Sequence, residues 1–228
     1  MKISEDLVKN DVPAVGQLAE NDCVSFCLTE NADSKLLILG NSITRHGRAE
    51  NLGWYGDWGM AASCAEKDYV HTLVRRLQED GKRVSYCLAN MSEWERERDE
   101  SLLQTRYAAA KAFGADTVVV RLGENARLIE DFDGFCACYT RMVRYFAAER
   151  TALTDLFWEY GPFDDFVRRF AREQGYAFAA LHDLGTRSDM KATGKFAHAG
   201  VAAHPSDKGM EEIANRIYAA LQDTFRAQ

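Results

Sequence analysis

From residue 36 onward, short apolar runs alternate with longer stretches in which apolar residues recur three and four positions apart. The runs Lys35–Leu39, Val84–Leu88, Thr117–Leu122, Asp155–Trp158 and Ala177–Leu181 read as strands. Leu36-Leu-Ile-Leu39 is apolar without alternation, as in a strand covered on both faces. Helices are expected over Ala61–Gln78, Ser101–Phe113, Phe132–Ala148, Phe163–Gln174 and Asp207–Gln222. In the first, Tyr69, Val70, Leu73, Val74 and Leu77 share a face; in the last, Met210, Ile213, Ile217 and Leu221 do the same. Asp207 is the expected N-cap of that last helix. Ser92 and Glu95 have capping-box spacing, so the charged run Glu93–Glu100 reads as the solvated start of a helix.

Strands that alternate with helices imply a parallel sheet with helices on both faces. The fold expected is therefore α/β, a three-layer α/β/α arrangement around a flavodoxin-like doubly wound parallel sheet of about five strands. The first 34 residues do not follow the alternation. Residues 1–34 are expected to form an N-terminal extension packed on a domain of residues 35–228, with Val24–Leu28 as a short extra strand at an edge or in a hairpin. Three prolines and no low-complexity stretch give no sign of a linker.

Composition narrows the function classes. Hydrophobic residues make up 46% of the 228, enough for a real core. A net charge of −7 argues against nucleic acid, whose phosphates need a basic face. No apolar run approaches the roughly 20 residues of a membrane-spanning helix. The opening Met1-Lys-Ile-Ser-Glu-Asp lacks the apolar centre of a signal peptide, so a cytoplasmic location is expected. Six scattered cysteines suit buried, reduced thiols. Cys23 with Cys27, and Cys136 with Cys138, have no matching second pair, so neither a metal site nor a cofactor is expected.

The candidate chemistry lies where the predicted strands end. The apolar run stops abruptly at Gly40-Asn41-Ser42. Gly40 permits a sharp turn, and Ser42 then stands at the carboxyl edge of the sheet, where open α/β folds bind ligands. A serine there is a candidate nucleophile if a base and oxyanion donors gather around it. Gly59 precedes the first long helix and offers a backbone N–H; Asn125 follows the third strand and offers a side-chain amide; His204 precedes the last helix and offers an imidazole. Taken singly, each is an ordinary turn, cap or loop residue. Four of them in order, on loops brought to one sheet edge, favour the catalytic reading.

This set resembles the SGNH (GDSL-type) hydrolase family. Gly40-Asn-Ser-Ile-Thr44 is similar to its first block, with Asn41 where an Asp is usual; Gly59, Gly123-Glu-Asn125 and His204-Pro205 match the later blocks. The resemblance implies Ser42 as nucleophile, His204 as base, and an oxyanion hole from the Ser42 and Gly59 N–H groups and the Asn125 amide. It also implies hydrolysis of carboxylic esters without a metal. One position departs: the family's acid, three residues before the base, is here Val201. A backbone carbonyl could orient His204 instead, or an acid from elsewhere such as Glu124 or Asp207. Without a carboxylate the imidazolium is less stabilised and turnover should suffer.

The loop Gly53–Trp58 places Trp54, Tyr55 and Trp58 beside Gly59, where they are expected to bind substrate by stacking on a sugar ring or covering an acyl chain; packing over the sheet edge is the competing reading. His46 and His198 read as loop residues and His71 as structural, while His182, after the last strand, reads equally as a residue behind the site or a surface one. The function expected is hydrolysis of a small-molecule carboxylic ester with a short acyl or acetyl group, an acetylated sugar being preferred. The first alternative is a ligand-binding protein that keeps the pocket and has lost turnover at Val201. A nucleotide binder on the same frame is disfavoured, because no Gly-x-Gly-x-x-Gly or P-loop follows the first strand.

Overall fold

The computed structural model describes residues 23–125 and 131–226. Six strands, β1 (Val24–Cys27), β2 (Ser34–Gly40), β3 (Val84–Asn90), β4 (Thr117–Arg121), β5 (Arg150–Thr154) and β6 (Ala177–Ala179), form one sheet in the order β1-β3-β2-β4-β5-β6. The pairs β3–β2, β2–β4, β4–β5 and β5–β6 are parallel, which is the doubly wound order expected; β1 pairs antiparallel with β3 at the edge. Residues 1–22 of the expected N-terminal extension lie outside the described residues, and the edge strand expected near Val24–Leu28 is β1.

The side chains of β2 explain the three layers. Leu36 and Ile38 face one cluster, with Tyr69, Val70 and Leu73 of α1 (Tyr69–Glu79) and Met210, Ile213 and Ile217 of α8 (Asp207–Arg226). Leu37 and Leu39 face the other. There they meet Trp94 of α2 (Ser92–Glu97), Phe135 and Tyr139 of α5 (Phe132–Phe146), and Phe163 and Phe170 of α6 (Gly161–Gln174). Each such side chain contributes roughly 1.5–3 kcal/mol by leaving water.

Several boundaries differ from expectation. The fifth strand is Arg150–Thr154, and the apolar run Leu156-Phe157 beyond it is a buried plug under the loops. Arg150, Thr151 and Thr154 hid the strand among polar residues. The stretch from Ala61 does not enter a helix until Asp68, whose carboxylate accepts the His71 N–H at 2.8 Å as the cap of α1. The helix expected over Ser101–Phe113 breaks into α3 (Ser101–Gln104) and α4 (Ala108–Ala112). For α8 the cap is Ser206, whose Oγ accepts the Gly209 N–H at 3.3 Å; Asp207 instead accepts from the N–H and hydroxyl of Ser63 at 2.7 and 2.8 Å. The run Glu93–Glu100 is not fully solvated: Trp94 and Glu95 are completely buried. All six cysteines are free, but only Cys23 and Cys87 are buried. Among the described residues no helix is long and apolar enough to cross a membrane.

Candidate active site

Gly40 ends β2 without a left-handed backbone; what it supplies is room. A Cβ there would overlap the hydroxyl of Thr44, which crosses at that point and bonds the Tyr69 hydroxyl at 2.7 Å. The chain then turns on Asn41, whose carbonyl accepts the N–H groups of Thr44 and Arg45 at 2.9 and 3.1 Å. Ser42 emerges half-buried on this turn at the carboxyl edge of the sheet.

The imidazole expected as the base comes from a part of the chain distant in sequence. Its loop is clamped by backbone bonds: the His204 carbonyl accepts from Ala192 at 2.9 Å, and Ser206 N–H donates to Met190 at 2.8 Å. This brings His204 Nε2 to 2.9 Å from Ser42 Oγ. His204 Nδ1 lies 2.6 Å from the carbonyl oxygen of Gly200, in the short helix α7 (Ala199–Ala202). A carbonyl can only accept, so Nδ1 carries the proton and Nε2 offers its lone pair to the serine hydroxyl. Burial pushes the imidazole down to about 4; the Gly200 bond opposes this, and His46, Arg121 and His198 add to the depression. His204 is thus a neutral imidazole across the physiological range.

No carboxylate stands where the acid was sought. Val201 is fully buried in a small apolar cluster with Trp54, Met60 and Ala192. Asp207 is bound to Ser63 and Lys67, and Glu124 to Asn41 and Arg121. Of the alternatives, the backbone carbonyl is the one found. His198, expected as a loop residue, is buried, and its Nδ1 accepts the Val201 N–H at 3.2 Å, capping the helix that presents Gly200.

The groups expected as oxyanion donors are not all available. The Gly59 N–H donates to the buried Asp68 carboxylate at 3.1 Å, so the donor expected from this loop is already engaged. Gly59 is a glycine for space: a Cβ would press on the Ile43 carbonyl and on Asp68. The next residue, Met60, donates its N–H to the Ser42 carbonyl at 2.9 Å. Ala61 follows at φ 74, a left-handed conformation that L-residues avoid at a cost of about 1–2 kcal/mol. Among the described residues the N–H groups of Ser42 and Ala61 have no hydrogen-bond partner. Asn125 is buried at the end of β4, and its amide donates to Glu95 Oε2 at 2.6 Å.

The aromatic loop is mostly structure. Trp54 is buried, donates its indole N–H to the His46 carbonyl at 3.0 Å and meets Trp58 edge-on at 5.6 Å; it cannot stack on a ligand. Trp58 is half-buried and donates to the Ala62 carbonyl at 2.9 Å, while Tyr55 is exposed beneath the Arg48 guanidinium. The aromatic ring against the Ser42–His204 pair is Trp158, edge-on to the imidazole at 5.3 Å. Its signal is positional, since it is the last residue of the expected strand Asp155–Trp158, at the carboxyl edge of the sheet. Glu95 gave no such signal, lying inside a charged run. Among the described residues no group of three or more His, Cys, Asp or Glu could hold a metal ion.

No protein-family model matches the chain, and no curated protein does. Solved structures do. A lipase/acylhydrolase from Enterococcus faecalis is 16% identical, covering 84% of this chain and 96% of its own, with a TM-score of 0.60. The family 3 carbohydrate esterase of Clostridium thermocellum is 14% identical over 85% of this chain and 98% of its own, with a TM-score of 0.56. An alpha/beta hydrolase enzyme from the metagenome of Lake Arreo, Spain, is 20% identical over 84% and 96%, with a TM-score of 0.55. The chain has the SGNH (GDSL-type) hydrolase fold.

Proposed function

We propose that this SGNH-fold chain is a serine hydrolase of small carboxylic esters, working through an acyl-enzyme with a Ser42–His204 dyad. The observation that carries the reading is the 2.9 Å contact between Ser42 Oγ and a His204 Nε2 whose tautomer is fixed from behind. Ser42 Oγ attacks the acyl carbonyl carbon while His204 Nε2 takes its proton. The oxyanion is held by the Ser42 N–H, the Asn125 amide and, in place of Gly59, the Ala61 N–H. The imidazolium returns its proton to the departing alcohol oxygen, leaving Ser42 acylated. Water then gives a proton to His204 and attacks the same carbon, and the imidazolium passes that proton to Ser42 Oγ as the Ser42–acyl bond breaks and the acid leaves.

A short acyl group, with acetyl on a sugar as the preferred case, is supported by the carbohydrate esterase among the structural neighbours and by the half-buried Trp158 face beside the base. One observation favours the second reading, a binding protein without turnover: the dyad lacks a carboxylate, and its base is hard to protonate. Hydrolysis of p-nitrophenyl acetate by the purified protein and by Ser42→Ala decides between them. Turnover well above background that disappears in Ser42→Ala is expected; equal rates would sink the esterase reading.

A further inference from the structure

Beneath the Ser42 turn lies a buried polar network that the dyad does not use. Glu95, from α2, is completely buried. Its Oε1 accepts the Gly123 N–H at 2.5 Å, and its Oε2 accepts the Asn125 amide at 2.6 Å and lies 3.4 Å from the Asn41 amide. The Asn41 amide also donates to Glu124 Oε2 at 2.6 Å, and Asn41 Oδ1 accepts from Arg121 at 3.1 Å and from the Ile43 N–H at 3.3 Å. Arg121 and the Phe157 N–H bind Glu124 Oε1. Two carboxylates and one guanidinium are therefore held out of water around the residue that precedes Ser42.

A buried carboxylate is costly, and an apolar side chain at position 95 would pack the same space more cheaply. What the carboxylate adds is orientation. It can only accept, so the Asn125 group facing it must be the NH2. One N–H is consumed, and the planar geometry aims the other away from Glu95. The Gly123 bond fixes the turn that carries Asn125, at φ 127 with the Phe163 ring where a Cβ would sit.

We propose that Glu95 is the positioning residue of the oxyanion site: its carboxylate aligns the Asn125 amide and ties the Gly123–Asn125 turn to the Asn41–Ser42 turn. This rests on Asn125 serving the oxyanion as read above. Protonation would loosen the arrangement, because a neutral carboxyl accepts the Gly123 and Asn125 N–H groups more weakly than a carboxylate does. Burial, with help from Glu124, pushes the Glu95 carboxyl up to about 7. The charged and titratable groups around it are Glu124 and Arg121 from β4 and its end, Tyr107 next to α4 and Tyr139 of α5. Both phenols are raised by burial and stay protonated.

The test uses the full chain and Glu95→Gln, which keeps shape and removes charge. With p-nitrophenyl acetate, kcat should fall about 10²-fold with KM within about twofold. The wild-type decline in kcat as pH drops through about 7 should vanish in the variant. A variant that only lowers the melting temperature, with kcat and pH profile unchanged, would overturn the proposal. A second measurement needs neither turnover nor the variant: the 15N-resolved Asn125 side-chain NH2 pair, assigned with Asn125→Asp, followed against pH. The pair should titrate with Glu95; an NH2 pair indifferent to pH between about 5 and 9 would overturn the proposal even in a protein without esterase activity.

Discussion

His204 Nδ1 donates to the carbonyl oxygen of Gly200 at 2.6 Å, in the place where a triad would set a carboxylate. A carbonyl fixes the ring's tautomer and orientation, but it brings no full charge to balance an imidazolium. Installing the acid should not mend this. Val201 packs into the apolar cluster around Trp54, so Val201→Asp buries an unpaired charge. We expect a stability loss of about 3 kcal/mol or more and no gain in kcat, measured by urea unfolding and initial rates. A faster Val201→Asp enzyme would show that the site accepts a carboxylate after all.

Two buried groups should make stability depend on pH in opposite senses. His204 sits at about 4 against an ordinary 6.5, so its contribution is present above pH 6.5 and lost as pH falls through 4. Glu95 sits at about 7 against an ordinary 4.5, so its contribution is present below pH 4.5 and lost as pH rises through 7. Each is worth about 3 kcal/mol. In the overlap the slopes cancel and the wild type should be nearly flat. His204→Gln exposes the Glu95 slope, and this variant should gain stability from pH 7 down to 4.5, read as the urea midpoint. A flat His204→Gln profile would refute the assignment.

Trp54 and Trp158 should separate cleanly. Trp54→Ala removes a buried ring and should cost about 3–5 kcal/mol. Trp158→Ala should cost less stability but raise KM or lower kcat, since its ring lies against the His204 imidazole. Tyr55→Ala, at an exposed position, should leave the melting temperature within a degree or two of wild type. Thermal melts beside steady-state kinetics on the three variants check the ranking.

Ala61→Gly reverses the usual rule. Replacing alanine by glycine ordinarily destabilises by about 0.5–1 kcal/mol. At φ 74 the relief of left-handed strain offsets that loss, so the melting temperature should hold or rise, and turnover should persist because the N–H remains. A clear fall in melting temperature would mean that the backbone there is not strained.

Much of this architecture is written in local pattern. Leu36–Leu39 announces a buried strand because nothing polar interrupts it, Val84–Leu88 and Thr117–Leu122 do so despite Ser85 and Arg121, and Ser42, Asn125 and His204 follow from where strands end and helices begin. What escaped depends on contacts distant in sequence. Glu95 looks like any charge in an acidic run; only its bonds to Gly123 and Asn125, across 28 and 30 residues, reveal its use. Gly59 reads as a donor from sequence, but whether its N–H is available depends on Asp68, nine residues on. Trp54 in a loop looks exposed until Phe196 and Val201 close over it. The fifth strand was misplaced because Thr151 and Thr154 satisfy a sheet as well as Leu156 and Phe157 satisfy a core.

The outer strands bear on pairing between one sheet edge and another. β1 has four residues and runs against its neighbour, and β6 has three. A sheet margin with so few open amides and carbonyls is a poor template for a strand of another molecule. The apolar ladder through β2, β3 and β4, which would be prone to aggregate if bared, is held in the interior between two margins too short to propagate it.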